Sequence, residues 1–402
     1  MRLRPVVLVT AAVVSGAASF ASGASAAPST QGQTHRAQRV CAAQHDGVHA
    51  ACSALMRTDA PRPTPNALPA GYGPSDLQSA YALASASAGR GAGKVIAIVD
   101  AYNDPTAIAD VNTYRSTYGL PGLPKCANVA ALRSTRCIAQ VNQSGGSKLP
   151  RTNGGWAQEI SLDLDMASAI CPNCSILLVE ASTNSFANLG AAAKYAARNA
   201  DVVSHSYGGG DASDSSYGAN YNNPGVAQTV SSGDNGYGAE FPASSQYVTA
   251  VGGTSLTRDN STRGWSESAW SGASSGCSAY NTKPSWQTAA TGCAKRAVAD
   301  VSAVADPNTG VAVYDSTAYQ GYSGWMVFGG TSASAPIIAG VYALAGTTGV
   351  ANPAATPWGH ASELNDVTSG SNGSCPTTAW CKAGTGWDGP TGLGTPNGTG
   401  AF

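Results

Sequence analysis

The sequence predicts an α/β fold built on a parallel sheet with helices on both faces. Two observations favour this class. Short apolar runs alternate with longer segments of helical spacing, and the run at residues 94–100 (KVIAIVD) is apolar almost throughout. A strand buried on both faces forms such a continuous apolar run, and alternating strands and helices are typical of parallel sheets.

The predicted elements follow one another along most of the chain. The first helical segment starts at Ser75-Asp76, a plausible helix cap. Helices are predicted at residues 75–86, 104–117, 156–170, 185–199 and 332–345. Strands are predicted at residues 94–100, 175–179, 201–206, 227–231 and 247–251.

The N-terminus has the pattern of an export signal. Arg2 and Arg4 precede an apolar run that extends to about residue 20, and Ala24-Ser25-Ala26 offers a small-x-small cleavage site. The run is short and rich in small residues, which disfavours a membrane anchor. We therefore predict a signal peptide at residues 1–26, secretion to the extracellular medium, and no membrane attachment after cleavage.

Composition excludes one class of partner. Lys plus Arg, at 22, nearly balances Asp plus Glu, at 23, so no basic stripe points to nucleic acid. Charged residues make up 11% of the chain, against a usual quarter. Such a chain suits an acidic medium, because little charge repulsion builds up as carboxylates become protonated.

Ten cysteines in an exported chain indicate disulfides. Connectivity does not follow from sequence, and pairing between neighbours is the simplest hypothesis. Cys171 and Cys174 form a CxxC, which suits a redox pair, half a zinc site or a small structural loop. We favour the loop, because the chain has no second CxxC. The proposed pairs are Cys41–Cys52, Cys126–Cys137, Cys171–Cys174, Cys277–Cys293 and Cys375–Cys381.

Residues 329–336 (GGTSASAP) place Ser332 at the start of an apolar helix. A nucleophile there benefits from free N–H groups that favour developing negative charge. The alternative is an ordinary serine or threonine cap on a buried helix.

A serine nucleophile needs a base, and histidine is the usual candidate. Three of the five histidines, His35, His45 and His49, lie in the polar segment near the N-terminus. His205 lies inside an apolar strand, where a buried structural role is favoured, and His360 lies in a loop. Neither has a glycine-rich setting typical of a catalytic histidine, so the base must be sought elsewhere.

Glu159 and Asp163 are four residues apart on a predicted helix, about 40° apart around its axis. Asp165 lies about 120° from Glu159 and is a poorer partner. Two crowded acids raise one pKa and titrate together. A solvated acidic face is the alternative, but Trp156 shares the face and suggests contact with something other than water.

Asp234 is a third candidate acid, in the sequence SSGDNG after a predicted strand. Active-site loops of parallel sheets gather at strand ends. A plain Asp-Asn-Gly turn is the alternative, and the local sequence does not separate the two.

Together these segments resemble the sedolisin family of serine-carboxyl peptidases, which share the subtilisin fold. The resemblance spans about residues 69–396 and rests on GTSAS at Ser332, ExxxD, SGDNG and a C-terminal NDV…GTGWD…TGLG. It implies that Ser332 is the nucleophile, Glu159 the general base and Asp163 its orienting partner. Asp234 would donate a proton to the oxyanion, helped by the Ser332 N–H. Glu159 must accept a proton while Asp234 keeps one, which requires acidic pH.

The resemblance also implies a calcium site near the C-terminus. Asp366 and Asp388 would supply carboxylates, and Val367, Gly384 and Gly386 would supply backbone carbonyls. Calcium prefers six or more hard oxygen ligands, so water would complete the shell.

Domain organisation follows from these assignments: a signal peptide (1–26), a short propeptide-like, loop-like segment (27–66) and a peptidase domain (67–402). The segment is much shorter than the long prodomain usual in the family. Residues 206–209 (SYGG) are a plausible edge for binding an extended peptide. Asp100 is interpreted as a loop anchor or part of the substrate cleft.

The expected product is a monomer that acts on proteins or peptides. Two alternatives stay open. One is a neutral, histidine-dependent subtilisin that uses Asp100, and the other is a secreted binding protein that keeps the fold without catalysis.

Overall fold

The computed structural model describes residues 1–3, 35–44, 46–61, 68–287, 291–346 and 350–402. The chain divides into a short unit, Met1–Thr34, and a compact unit, His35–Phe402. All but the first three residues of the predicted signal peptide lie outside the described residues, as do positions 27–34, 45 and 62–66 of the propeptide-like segment.

The long helices lie where the sequence predicts them, with one difference. The predicted helix at 75–86 is two short helices, because Ala82 between them has a φ of 53°, outside the helical range. The helices are α1 (Pro74–Ala80), α2 (Ala84–Gly89), α3 (Ala107–Thr117), α4 (Gly154–Ile170), α5 (Phe186–Ala197), α6 (Asp214–Tyr217), α7 (Thr331–Ala345) and α8 (Thr356–Gly359).

Every predicted strand is present, and shorter strands that the sequence did not reveal join them. The strands are β1 (Ala37–Arg39), β2 (Ala51–Cys52), β3 (Leu55–Arg57), β4 (Val95–Ala101), β5 (Ile138–Asn142), β6 (Ser175–Ala181), β7 (Val202–His205), β8 (Tyr207–Gly210), β9 (Ala227–Ser231), β10 (Glu240–Phe241), β11 (Thr249–Arg258), β12 (Trp265–Ala269), β13 (Gly276–Cys277), β14 (Ala297–Val298), β15 (Val301–Val304), β16 (Val311–Tyr319), β17 (Tyr322–Gly329), β18 (Leu364–Asn365) and β19 (Thr395–Pro396).

The central sheet has the order β12-β11-β9-β7-β4-β6-β5, with β15 also paired to β11. All its pairings are parallel except β11 with β12. Every residue of β4 and β6 is buried, as expected of strands covered on both faces. The predicted class, a subtilisin-like α/β fold, is confirmed.

Strand register brings the later site residues to one edge of the sheet. Val99 of β4 pairs with His205 of β7, and His205 pairs with Val230 of β9. The residues that follow these strands therefore emerge together, at the carboxyl edge where parallel sheets place their active sites. Helices α4 and α7 pack against each other and against this sheet.

The N-terminal segment is not the loop that the sequence predicts. Strands β1 and β3 continue a sheet with β17 and β16, and β2 joins β8 and β10. Residues 35–61 therefore belong to the same compact unit as the rest of the fold.

All five proposed cysteine pairs are confirmed as disulfides, and in the described chain no cysteine is free. Cys171 and Cys174 are bonded to each other at the end of α4, as expected of a small structural loop. Among the described helices, none combines the length and apolar character needed to cross a bilayer.

Candidate active site

Helix α4 carries the two acids of the ExxxD motif into the interior. Asn153 caps the helix, because its side chain accepts a hydrogen bond from the Trp156 N–H at 3.2 Å. Glu159 and Asp163 lie one turn apart and are 0% exposed. This burial excludes the alternative of a solvated acidic face.

The candidate nucleophile lies at the junction of β17 and α7. Gly330 joins them with a φ of 97°, a conformation that favours glycine. Ser332 is the second residue of α7 and is 0% exposed. Its Oγ donates to the carbonyl oxygen of Ser206 at 3.2 Å. The serine therefore lies at the carboxyl edge of the sheet, immediately after β7.

Ser332, Glu159 and Asp163 lie together. Burial raises the pKa of Glu159 well above its usual value, the charges of Asp163 and Asp100 raise it further, and the nearby Ser332 hydroxyl lowers it in part. Burial also raises the pKa of Asp163, and the charge of Asp100 adds to this. The Ser206 hydroxyl donates to Asp163 Oδ1 at 2.7 Å. Ser206 thus contacts both the nucleophile and the second acid.

Asp100 is a buried acid whose closeness to the pair the sequence did not reveal. Its side chain is 0% exposed, and burial raises its pKa to about 8. Both of its carboxylate oxygens lack a hydrogen-bond donor within the described residues. Its position after an apolar strand was visible in the sequence, but its charge coupling to Glu159 and Asp163 depends on the three-dimensional fold.

Asp234 approaches the same place from the loop after β9. Its Oδ1 accepts hydrogen bonds from the backbone N–H and the hydroxyl of Thr331, both at 2.8 Å. Its Oδ2 has no donor among the residues that the structure describes. Burial raises the pKa of Asp234 to about 7, although the bonds from Thr331 and the charge of Arg39 lower it. Near neutrality and below, Asp234 can therefore hold a proton beside the Ser332 backbone N–H.

His205 is a structural residue, as the sequence indicates. Its ring nitrogens contact the Tyr207 hydroxyl at 3.0 Å and Gln228 Oε1 at 2.8 Å. Burial lowers its pKa to about 4, so the ring is neutral above that pH. Both ring nitrogens of His205 therefore form hydrogen bonds with residues other than Ser332.

The C-terminal residues form a loop closed by pairing of β18 with β19. The N–H of Gly386 donates to Asp366 Oδ2 at 2.9 Å, and the N–H of Gly384 donates to Asp388 Oδ2 at 3.2 Å. Burial raises the pKa of Asp388 to about 7, and the charge of Asp366 raises it further. A cation would relieve this repulsion, so the two carboxylates fit a hard ion such as calcium. Val367, also predicted as a ligand, is buried directly after Asp366.

A second group of buried acids lies apart from the sequence-predicted sites. Asp104, Asp110 and Asp315 each offer a carboxylate oxygen, and these oxygens lie within 4.8 Å of one another, an arrangement that could hold a metal ion. They come from the loop after β4, from α3 and from β16, so their proximity was not readable from the sequence.

Comparison with known proteins agrees with this geometry. A family model with the description "Subtilase family" matches residues 137–358 of this chain. Kumamolisin from Bacillus sp. (strain MN-32) is 30% identical over 377 residues, which cover 83% of this chain and 63% of kumamolisin. Sedolisin from Pseudomonas sp. (strain 101) is 33% identical over 199 residues, covering 42% of this chain and 32% of sedolisin. The chain thus spans less than two thirds of either relative.

Solved structures give the same result. Pseudomonas sedolisin, a serine-carboxyl proteinase solved with two molecules of pseudo-iodotyrostatin, superposes with a TM-score of 0.67 at 26% identity. The match covers 81% of this chain and 95% of that one.

Proposed function

Since the chain belongs to the subtilase family and to its sedolisin branch, we propose that it is a secreted serine-carboxyl peptidase that hydrolyses peptide bonds in proteins or peptides at acidic pH. One observation carries the proposal. Ser332 lies beside the buried Glu159, while His205 is engaged elsewhere. The available base is therefore a carboxylate.

Each residue takes one role. The Ser332 hydroxyl attacks the substrate carbonyl and gives its proton to Glu159, which later passes it to the departing amine. Asp163 orients Glu159 and shares its proton, because two buried acids this close do not both carry charge at acidic pH. The Ser332 N–H and protonated Asp234 donate to the oxyanion.

Acidic pH follows from these roles. Asp234 donates only while protonated, and its pKa is raised to about 7. Glu159 and Asp163 must share one proton. Activity is lost at low pH when both acids are protonated, because neither can then accept the Ser332 proton. Activity therefore has an acidic maximum between these two limits.

Calcium completes the proposal. Asp366 and Asp388 would hold the ion with their carboxylates, and the carbonyls of Val367, Gly384 and Gly386 would add ligands. The ion would supply charge neutralisation and stabilise the C-terminal loop. Residues 1–26 would direct export, and residues 27–66 would be a propeptide. The mature protein would act as a monomer on protein or peptide substrates.

The test is hydrolysis of a fluorogenic peptide from about pH 3 to about pH 8. Wild type should be most active at acidic pH. Ser332→Ala and Glu159→Gln should each lose about a thousandfold or more, because each removes one member of the nucleophile–base pair.

Asp165→Asn is the matched control. Asp165 is a buried acid on the same helix, where its Oδ2 accepts from the Tyr314 N–H at 2.9 Å. An asparagine keeps an acceptor there, so activity should persist. A neutral optimum, or full activity in Glu159→Gln alongside loss in His205→Gln, would show that a histidine is the base.

A further inference from the structure

The N-terminal segment shows how an extended peptide lies beside the candidate nucleophile. The Ser53 carbonyl oxygen accepts from the Ser332 N–H at 2.9 Å, and the Ser53 N–H donates to the Ser206 carbonyl at 3.1 Å. The Ser332 N–H is one of the two donors proposed for the oxyanion. Ser53 therefore marks the first position of a bound substrate, the one whose carbonyl group is attacked. Counted from there toward the N-terminus, Ala50 occupies the fourth position and Val48 the sixth.

Strand β8 pairs with the second and third positions. The pairing is antiparallel and matches Cys52 with Tyr207 and Ala51 with Gly208. An added strand of this kind is held through its backbone, so many side chains fit the same place. A substrate that replaces residues 48–53 gains these hydrogen bonds whatever its sequence.

A second stretch of backbone, at residues 184–186, pairs with the positions further from the nucleophile. The Ala50 N–H donates to the Asn184 carbonyl at 2.8 Å. The Phe186 N–H donates to the Val48 carbonyl at 2.9 Å. The protein therefore contacts the backbone of a bound peptide as far as the sixth position, three residues beyond the third.

The Asn184 side chain adds a contact that is specific to the fourth position. Its Nδ2 donates to the Ala50 carbonyl oxygen at 2.7 Å. Its Oδ1 accepts from the Tyr102 hydroxyl at 3.0 Å, which holds the amide in the orientation that presents Nδ2 to the peptide. Because the Asn184 carbonyl also accepts from the Ala50 N–H, this one residue binds both backbone groups of the fourth position.

The cleft is open beyond the sixth position. Val48 is 48% exposed, and Asp46 and Gly47 before it are also exposed. The chain thus passes from the cleft into solvent, and a longer peptide has room to do the same. An enzyme that releases tripeptides has to bind the free amine of its substrate at the third position, where that substrate begins. Contacts with three further residues suit a substrate that continues past that point.

We propose that this protein is an endopeptidase whose substrates supply at least four residues before the cleaved bond, and that Asn184 recognises the backbone of the fourth residue. The inference rests on the proposed function. It adds the class of substrate, interior bonds of extended chains, and a binding residue that the sequence did not reveal.

Contacts this far from the reacting carbonyl affect turnover as well as affinity. Binding energy from remote positions offsets the cost of orienting the substrate, so a truncated substrate loses kcat and not only affinity. Each neutral hydrogen bond to the fourth position should change kcat/KM by roughly two- to tenfold. The two bonds to Asn184 should therefore give a length dependence of about tenfold.

Fluorogenic peptides of one sequence that differ only before the cleaved bond test the length requirement. The protein is used as secreted, at its acidic optimum. The series has three residues with a free amine, the same three residues with an acetyl group, and acetylated peptides of four and six residues. The acetyl carbonyl replaces the carbonyl of the fourth residue and should raise kcat/KM by roughly two- to tenfold. A complete fourth residue adds the N–H and should raise it again, and the peptide of six residues should be the best substrate.

Asn184→Ala identifies the residue responsible. The variant lacks the Nδ2 donor, so acetylation of the three-residue peptide should no longer raise kcat/KM. The free-amine peptide has no carbonyl at the fourth position, and its kcat/KM should stay within about twofold of wild type. A loss confined to substrates that carry the contacted group measures the contact itself rather than damage to the fold. Ser182→Ala, at an exposed position in the same loop, should leave the whole series unchanged.

The opposite order of substrates would overturn the proposal. A free-amine peptide of three residues that is hydrolysed fastest, and that is no longer hydrolysed after acetylation, would show a tripeptidyl-peptidase. An equal loss on every peptide in Asn184→Ala would limit that residue to a structural role.

The two proposals fail differently. If the proposed function is wrong, no peptide of the series is hydrolysed at acidic pH, or Ser332→Ala hydrolyses the peptides as well as wild type does. If only the endopeptidase inference is wrong, hydrolysis depends on acidic pH and is lost in Ser332→Ala, but it does not increase with the number of residues before the cleaved bond.

Discussion

Helix α4 contacts two groups of buried acids that differ in how their oxygens are bonded: it carries Glu159 and Asp163 of one, and its Ser161 donates to Asp104 of the other at 3.2 Å. In the group of Asp104, Asp110 and Asp315, nearby hydroxyl and N–H groups donate to each carboxylate, and Asp315 Oδ2 lacks a donor within the described residues. Asp110 Oδ2 alone accepts from Thr106 at 2.6 Å and from the Ser316 N–H and hydroxyl at 2.8 and 2.9 Å.

The group around Glu159, which we propose to be catalytic, has few such donors. Within the described residues, a hydrogen-bond donor is lacking for Asp163 Oδ2, Asp234 Oδ2 and both oxygens of Asp100. An unsatisfied buried polar atom costs about 1–3 kcal/mol, so a fold keeps one only where something else benefits. Burial raises pKa values in both groups, as for Asp315 and Asp234. More of the carboxylate oxygens therefore have donors in the group of Asp104, Asp110 and Asp315 than in the group around Asp163, whereas the pKa shift does not separate the two groups.

Matched substitutions in the two groups give the largest expected contrast. Asp163→Asn should lower kcat by about a thousandfold, since loss of an orienting carboxylate leaves the base wrongly placed. Its melting temperature should hold or rise, because a buried charge is removed. Asp110→Asn should keep activity within about twofold and lower the melting temperature by a few degrees, because an amide accepts these donors less well. Hydrolysis assays and calorimetry on both variants measure the two effects.

Similar losses of activity in both variants, or a melting temperature that falls only in Asp163→Asn, would break the comparison.

The next largest expected effect concerns Asp234. Its Oδ1 accepts hydrogen bonds from Thr331, whereas its Oδ2 has no donor within the described residues. Asp234→Ala should lower kcat by about a hundredfold, the usual loss for one oxyanion donor. Wild-type activity should fall as pH rises through the pKa of this acid, because its proton is then lost. Asparagine donates at any pH, so Asp234→Asn should be slower than wild type and less sensitive to rising pH. A pH–rate profile decides this, and an unchanged alkaline limb in Asp234→Asn would remove Asp234 from the oxyanion site.

Sequence predicted the parts of this molecule that depend on local pattern. The spacing of Glu159 and Asp163 on α4 is fixed by helical geometry, and the apolar run at β4 is a property of a buried strand. The neighbouring cysteine pairs also followed from proximity in the chain. Those interpretations needed no knowledge of distant contacts.

What the sequence did not reveal depends on long-range pairing. Strand β2 has two residues and carries no periodic signal, yet its pairing with β8 places Ser53 at Ser332. Asp100 was visible as an acid after a strand, but its coupling to Glu159 arises from the packing of α4 on the sheet. Short strands and charge coupling of this kind appear only once the chain is folded.

The smallest expected effect is a change in melting temperature at the predicted calcium site, and it also tests the comparison between the two acid groups. Asp388 is bonded like the structural group, since its Oδ1 accepts from the Thr391 N–H and hydroxyl at 2.9 and 2.8 Å, yet the charge of Asp366 raises its pKa. Chelation near neutral pH should lower the melting temperature by a few degrees, because an ion bound only to the folded state stabilises it. The pKa of Asp388 is about 7, so protons compete with the ion below that pH, and the effect should shrink as pH falls. Asp388→Ala should remove the response to calcium, whereas Asp110→Asn should keep it if the C-terminal loop is the site. A response that is lost in Asp110→Asn and kept in Asp388→Ala would instead assign the ion to the group of Asp104, Asp110 and Asp315. Carboxylate oxygens that accept hydrogen bonds would then not indicate a purely structural role.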